Sequence, residues 1–213
     1  MYRKIRYVYI LILIFSLIAK YSLAWDDKVT HKDLSEYAAE NSVLSKNKGD
    51  YLKNIGFDNS LDEIFTWNGV SHEVFEWLRK GANLEDASSF GFPIIGTTRS
   101  FNHFHDPLKP WGQAGLNDFW TGESSLLWAQ DGTNQNNFPD GDWSWKKIRE
   151  HYYNALTKMT NNERQAYFAQ TFRGLGHQMH LIQDAAQPDH VRNDAHPEDT
   201  FSGVITPIGF EKW

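Results

Sequence analysis

Nine histidines occur in the chain, and the densest group of them lies between residues 177 and 196. Within this group His180 and Asp184 are four residues apart, so on a helix their side chains would share one face. An imidazole nitrogen and a carboxylate oxygen could then bind one metal ion at roughly 2.0–2.2 Å. Pro188 is expected to end the helix and let His190 approach the same region from a loop. Such a pair is also an ordinary helix surface contact, so the spacing alone does not decide between the two readings.

Nitrogen and carboxylate ligands without thiolate favour zinc, although other divalent metals accept them too. His177 lies seven residues before Asp184, on the same predicted stripe of the helix. It could donate to a ligand carboxylate, or it could be a half-buried histidine with no metal role.

A largely helical chain would have to position these residues. Apolar residues at helical spacing predict helices over about 32–43, 72–80, 144–158 and 161–186. Ser71 and Gly81 are expected to bound the second of these, and Thr160 with Glu163 forms a capping box for the last. Glycine, proline and asparagine cluster in two long stretches, about 90–118 and 131–142, which we expect to be loops. The predicted fold class is all-α, with one compact multi-helix domain and long loops.

The first 24 residues have the three-part layout of a secretory signal peptide. Basic residues at positions 3, 4 and 6 precede an apolar run over 7–19, and small residues precede a cut between Ala24 and Trp25. A membrane anchor is the alternative, but this run is short for a span that needs about 20 residues. We therefore expect a signal peptide over 1–24 and a secreted or periplasmic domain over 25–213.

Composition narrows the classes of function. Cleavage at Trp25 would remove four basic residues and change the net charge from −6 to −10, which gives no overall basic footprint for nucleic acid. The chain has no cysteine, so an exported protein would need a large core or a structural metal instead of disulfides. It stops at Glu211-Lys212-Trp213 without a helix cap, and we expect the C-terminal end to be truncated.

Three segments resemble, in order, the zinc-dependent bacterial phospholipase C family. The central motif of that family, H-x3-D-x5-H with proline two residues before the last histidine, matches the segment from His180 to His190. An upstream His-Phe-x-Asp-Pro segment matches residues 103–107. A mature N-terminal tryptophan followed by a ligand histidine matches Trp25 and His31. The resemblance spans 25–213 and implies a helical domain around a multinuclear zinc site.

The resemblance implies two to three zinc ions. The first would be held by the α-amine and carbonyl of Trp25 together with His31. Asp184 would bridge this ion to a second one, which His103 and His180 would bind.

The third ion would be bound by His190, His196 and Glu211, and here the sequence departs from the family pattern. Pro207 stands where a histidine would precede Glu211 by four residues, so His196 is taken as the substitute. Asp194 or Asp199 could replace one of these ligands.

The resemblance also implies a catalytic carboxylate upstream of the His-Phe-x-Asp-Pro segment. Asp86 occupies that place and would orient the attacking water or take its proton. Its alternative role is to cap a turn before Ser88.

These expectations predict a zinc-dependent phosphodiesterase that hydrolyses phospholipid head groups, with a phospholipid or membrane surface as its substrate and no protein partner implied. Trp111, Trp120 and Trp128 are candidates for contact with the lipid interface, although we expect at least one of them to pack in the core. The first alternative is a zinc nuclease or 3′-nucleotidase of the same superfamily. The second is a zinc-stabilised surface module without turnover, which would keep the ligands but lack a working Asp86 or an open coordination position.

Overall fold

The computed structural model describes residues 27–86, 99–117 and 121–193. Most of these residues are helical, which confirms the expectation of a mainly α domain. The helices are α1 (Asp27–Glu40), α2 (Tyr51–Asn54), α3 (Val74–Leu84), α4 (Ser125–Gln130), α5 (Trp145–Thr157), α6 (Asn161–Asp184) and α7 (Pro188–Arg192). The strands are β1 (Ile64–Trp67) and β2 (Val70–Glu73). Short 3-10 turns cover Ser60–Asp62, Arg99–Asn102, Trp111–Gln113 and Gln135–Asn137.

The two strands form a hairpin that the helical periodicity did not predict. β1 and β2 pair antiparallel around Asn68 and Gly69, both of which have positive φ. Asn-Gly is favoured at such a turn, because both central residues adopt the left-handed conformation. The prediction that a helix begins at His72 behind a Ser71 cap was therefore wrong. Both residues belong to β2, and the helix starts at Val74.

Helices α3 and α6 cross at two glycines, which brings their backbones close together. Gly81 was predicted to end its helix, but α3 continues to Leu84. A methyl group at Gly81 would collide with the carbonyl oxygen of Arg173, and one at Gly176 would collide with that of Leu78. The absence of side chains at this crossing sets the separation of the two helices.

Gly81→Ala is expected to destabilise the protein by about 1–3 kcal/mol, because the added methyl must push α3 away from α6. Urea unfolding monitored by circular dichroism would measure the change. Gly112→Ala is the matched control, since a methyl there would meet no atom within 4 Å. Equal stability of the two variants would contradict the close-crossing interpretation.

Helix α6 is the central element and packs against α1, α3, α5 and β1. Its predicted start is confirmed, because the Thr160 hydroxyl accepts a hydrogen bond from the Glu163 backbone. Its end is at Asp184. Pro188 does not open a loop, as was predicted, but begins the short helix α7, which carries His190. Proline suits the first turn of a helix because its missing N–H would be unpaired there anyway.

Aromatic side chains fill the core between α6 and the hairpin. Phe65 stacks on Phe168 and Phe172, and Phe57 meets Phe65 and Phe168 edge-on. Trp128 is fully buried, so it packs in the core, as was expected of at least one of the three candidate tryptophans, and does not contact a lipid interface. Trp111 is half exposed, and Trp120 lies outside the described residues.

Within the described part of the chain, no helix has both the length and the apolar character required to cross a bilayer.

Candidate metal centre

Asp184 lies at the C-terminal end of α6, and four histidine rings surround its carboxylate. Its Oδ2 is 2.8 Å from His103 Nδ1, 3.1 Å from His180 Nε2 and 3.6 Å from His190 Nδ1. Its Oδ1 is 3.4 Å from His31 Nε2. These rings come from α1, the turn after Arg99–Asn102, α6 and α7, so chain segments far apart in sequence meet at one carboxylate.

Asp86 brings a second carboxylate to the same cluster. It lies 3.5 Å from His103 Nδ1 and 3.4 Å from His180 Nε2. Two groups therefore have ligand atoms close enough to hold a metal ion, one made of His31, His180 and Asp184 and one of Asp86, His103 and His180. His180 belongs to both groups, and because its Nδ1 donates to Ala82, its one remaining nitrogen can bind only one ion. The two groups are therefore two possible positions for an ion and not evidence of two ions.

The unpaired atoms in the cluster fit a metal better than they fit a hydrogen-bond network. His180 Nε2 and Asp184 Oδ2 are both buried, and neither makes a hydrogen bond within the described protein despite their 3.1 Å separation. Buried polar atoms are normally paired, so two unpaired ones facing each other need an explanation. A cation between a lone pair on nitrogen and a carboxylate oxygen would satisfy both.

The outer nitrogens of two rings are fixed by hydrogen bonds. His180 Nδ1 lies 2.6 Å from the carbonyl oxygen of Ala82, to which it can only donate. When the His180 ring is neutral, its lone pair therefore lies on Nε2. His31 Nδ1 is 2.8 Å from Gln183 Oε1, and the amide nitrogen of Gln183 donates to Ser35 Oγ. That amide orientation makes His31 a donor at Nδ1 and leaves Nε2 facing Asp184. Both rings are preset as ligands, as is common around protein-bound metals.

Without a metal, the cluster holds its charges as ion pairs. Burial works to lower the pKa of His103, but the Asp184 and Glu85 carboxylates outweigh it and raise that pKa to about 10. Burial likewise opposes the Asp86 and Asp184 charges at His180, whose pKa rises to about 9. Burial would raise the pKa of Asp184, but the histidines hold it well below its usual range. Burial lowers the pKa of His31, which stays neutral.

The two histidines of the His-Phe-x-Asp-Pro segment point in different directions. His103 enters the cluster, whereas His105 Nδ1 meets Ser124 Oγ at 2.8 Å. Phe104 lies between them and stacks on the His190 ring, with centroids 4.6 Å apart. A backbone hydrogen bond from His105 N to His190 O joins this segment to α7. The segment therefore both supplies one candidate ligand and supports another.

Several predicted ligands lie outside the described residues. They are Trp25, His196 and Glu211, together with the possible replacements Asp194 and Asp199. Of the predicted third-metal group, the structure describes only His190. Those assignments remain predictions.

Sequence reasoning missed Glu85, which is fully buried beside the cluster. His177, considered as a donor to a ligand carboxylate, is fully buried and contacts Glu85 instead of a candidate ligand. Burial would raise the pKa of Glu85, but the charge of Arg99 and the neighbouring His103 and His177 rings hold it well below its usual range. The neighbouring Gln183 was also missed. Its position next to Asp184, three residues after His180, was the available signal.

Comparison of the chain with protein-family models, curated proteins and solved structures found no match.

Proposed function

We propose that the protein is a zinc-dependent phosphodiesterase of the phospholipase C type. The observation that carries the proposal is the convergence of four histidines and two aspartates in one cluster. Zinc accepts this set of nitrogen and carboxylate ligands, and the set contains no thiolate. The order of these residues along the chain is the order found in the family that the sequence resembles. Export is proposed on the signal-peptide layout of residues 1–24.

Bound zinc would offset the negative charge of a phosphodiester and lower the pKa of a water molecule. Asp86 is the member of the cluster best placed to act on that water. Its side chain is 32 % exposed, whereas those of His103, His180 and Asp184 are at most 3 % exposed. A carboxylate at the open side of the cluster could orient the attacking water and accept its proton.

An exposed apolar segment beside the site supports a lipid substrate. The His-Phe-x-Asp-Pro segment continues into Leu108, which is 93 % exposed, and Trp111, which is 51 % exposed. Tryptophan favours the boundary between water and lipid because its indole ring is apolar but carries one polar N–H group. Lys109 lies between them and pairs with Asp106 at 3.2 Å. The overall acidic charge disfavours a polyanionic nucleic acid.

The test is to incubate zinc-loaded protein, beginning at Trp25, with phosphatidylcholine vesicles and separately with single-stranded DNA. We expect release of the phosphorylated head group and diacylglycerol from the vesicles. Asp86→Asn should reduce kcat by about 10²–10⁴-fold, the usual contribution of general acid–base catalysis. Asp131→Asn is the control, because this exposed carboxylate accepts hydrogen bonds from Thr133 and pairs with no described member of the cluster.

The result can contradict the proposal in two ways. Cleavage of DNA without cleavage of lipid would favour the nuclease alternative. Bound zinc with no turnover of either substrate would favour the zinc-stabilised module.

A further inference from the structure

Glu85 is a charged side chain enclosed in the protein, one residue before Asp86. It is fully buried, and Trp128, Arg99 and His177 each bring a nitrogen within hydrogen-bond distance of its carboxylate. Oε1 accepts from Trp128 Nε1 at 2.7 Å. Oε2 accepts from Arg99 Nη2 at 2.9 Å and meets His177 Nδ1 at 2.5 Å. A carboxylate surrounded by donors is ionised and acts only as an acceptor.

The neighbours of Glu85 are themselves fixed. Arg99 is fully buried and also donates to the carbonyl oxygen of Gly141 at 2.8 Å and to Gln135 Oε1 at 2.9 Å. The other nitrogen of His177 lies 3.2 Å from Asp140 Oδ2. The His177 ring stacks on Trp143 with an interplanar angle of 3°. Because these partners cannot turn freely, the Glu85 carboxylate has one orientation.

That orientation points Oε1 at a candidate metal ligand. His103 Nε2 lies 3.6 Å from Glu85 Oε1, while its other nitrogen, Nδ1, faces Asp184. His103 Nε2 is buried and has no hydrogen-bond partner at its present separation from Glu85. A movement of about half an ångström would bring it within the usual N–H···O distance. The ring can then donate to Glu85 only if its proton is on Nε2.

We propose that Glu85 is the positioning residue for His103: it holds the proton on Nε2 and thereby directs the Nδ1 lone pair at the metal. The inference rests on the metal binding proposed above. It also distinguishes His103 from the two other rings with defined outer contacts. Ala82 offers His180 a carbonyl and Gln183 offers His31 an amide, whereas Glu85 offers His103 a full negative charge. A carboxylate at the outer nitrogen makes an imidazole a stronger ligand.

Glu85→Gln tests the proposal, because it keeps the shape of the side chain and removes its charge. Zinc affinity would be measured on the full chain by competition with a chromophoric chelator. We expect the tightest zinc to bind about 10–100-fold more weakly, the usual effect of losing such a partner. Glu150→Gln is the matched control. It makes the same chemical change at an exposed carboxylate that pairs with Lys147 and with no member of the described cluster, so the zinc affinity should stay within about twofold of wild type.

A second measurement on the unmutated protein covers the case in which Glu85→Gln fails to fold. Long-range proton–nitrogen NMR of the zinc-loaded chain should show His103 protonated at Nε2 and metal-bound at Nδ1. Wild-type zinc affinity in folded Glu85→Gln, or the opposite tautomer of His103, would overturn the role of Glu85 and leave the metal site standing. A wild-type chain that binds no zinc would instead overturn the proposed function.

Discussion

Replacing Asp184 by asparagine is expected to remove at least two zinc ions together and to abolish phosphodiesterase activity. The carboxylate lies within 3.6 Å of four histidine nitrogens, more than any other side chain of the described cluster contacts. Asparagine has nearly the same shape but carries no charge. It would leave the ions without the shared anion, so we expect their loss to be coupled.

The same substitution should also destabilise the metal-free protein. His103 and His180 both have raised pKa values because of neighbouring carboxylates, and they would become buried cations short of a partner. Removing one partner of a buried ion pair usually costs about 3–5 kcal/mol. Elemental analysis would count the zinc, and thermal unfolding of chelated protein would measure the stability.

Asp131→Asn again provides the control for this experiment, since its exposed carboxylate accepts from Thr133 and pairs with no described member of the cluster. It should retain all of its zinc. Full zinc content in Asp184→Asn would show that Asp184 is an ordinary partner of the histidines and not a metal bridge.

The part of the site that the sequence predicted depends on local geometry. His180 and Asp184 share a face because a helix repeats every 3.6 residues, and the apolar pattern and Thr160 cap had already indicated that helix. The turn of the chain at Pro188 was also readable from the sequence. The conformation after it was not, because the missing N–H of proline suits a new helix as well as a loop.

The part that the sequence did not predict depends on contacts between distant segments. Gly81 looked like the end of a helix because glycine commonly stops one. Its actual role is to let α3 touch α6, which requires knowing that Gly176 lies opposite. This crossing carries the end of α3 to the middle of the cluster. Nothing in the local pattern marked Glu85 as buried, since the partner that neutralises it, Arg99, lies 14 residues further along the chain.

His103 and His180 are each expected to release one proton when zinc binds near neutral pH. The pKa of His103 is raised to about 10 and that of His180 to about 9. In the metal-free protein at pH 7 both rings are therefore protonated on both nitrogens and positively charged. A metal ion needs the neutral ring and must displace these protons. His31 contributes none, because burial lowers its pKa. With two protons displaced, the apparent zinc affinity should rise by about 100-fold per pH unit between pH 6 and 8.

The same pKa shifts predict opposite pH dependences for the stability of the two forms. In the metal-free protein, the raised histidine pKa values stabilise the fold fully below the unfolded pKa of about 6.5. That stabilisation is lost as pH rises through 9 and 10. In the zinc-loaded protein these two rings have already lost the titrating proton, so this form should become more stable with rising pH as zinc binds more tightly.

Titration calorimetry in buffers of different ionisation enthalpy would count the protons released on zinc binding. Thermal unfolding from pH 6 to 10, with and without chelator, would compare the stability of the zinc-loaded and metal-free forms. Zinc binding without proton release would contradict His103 and His180 as ligands. Parallel stability curves for the two forms would contradict the ion-paired cluster of the metal-free state.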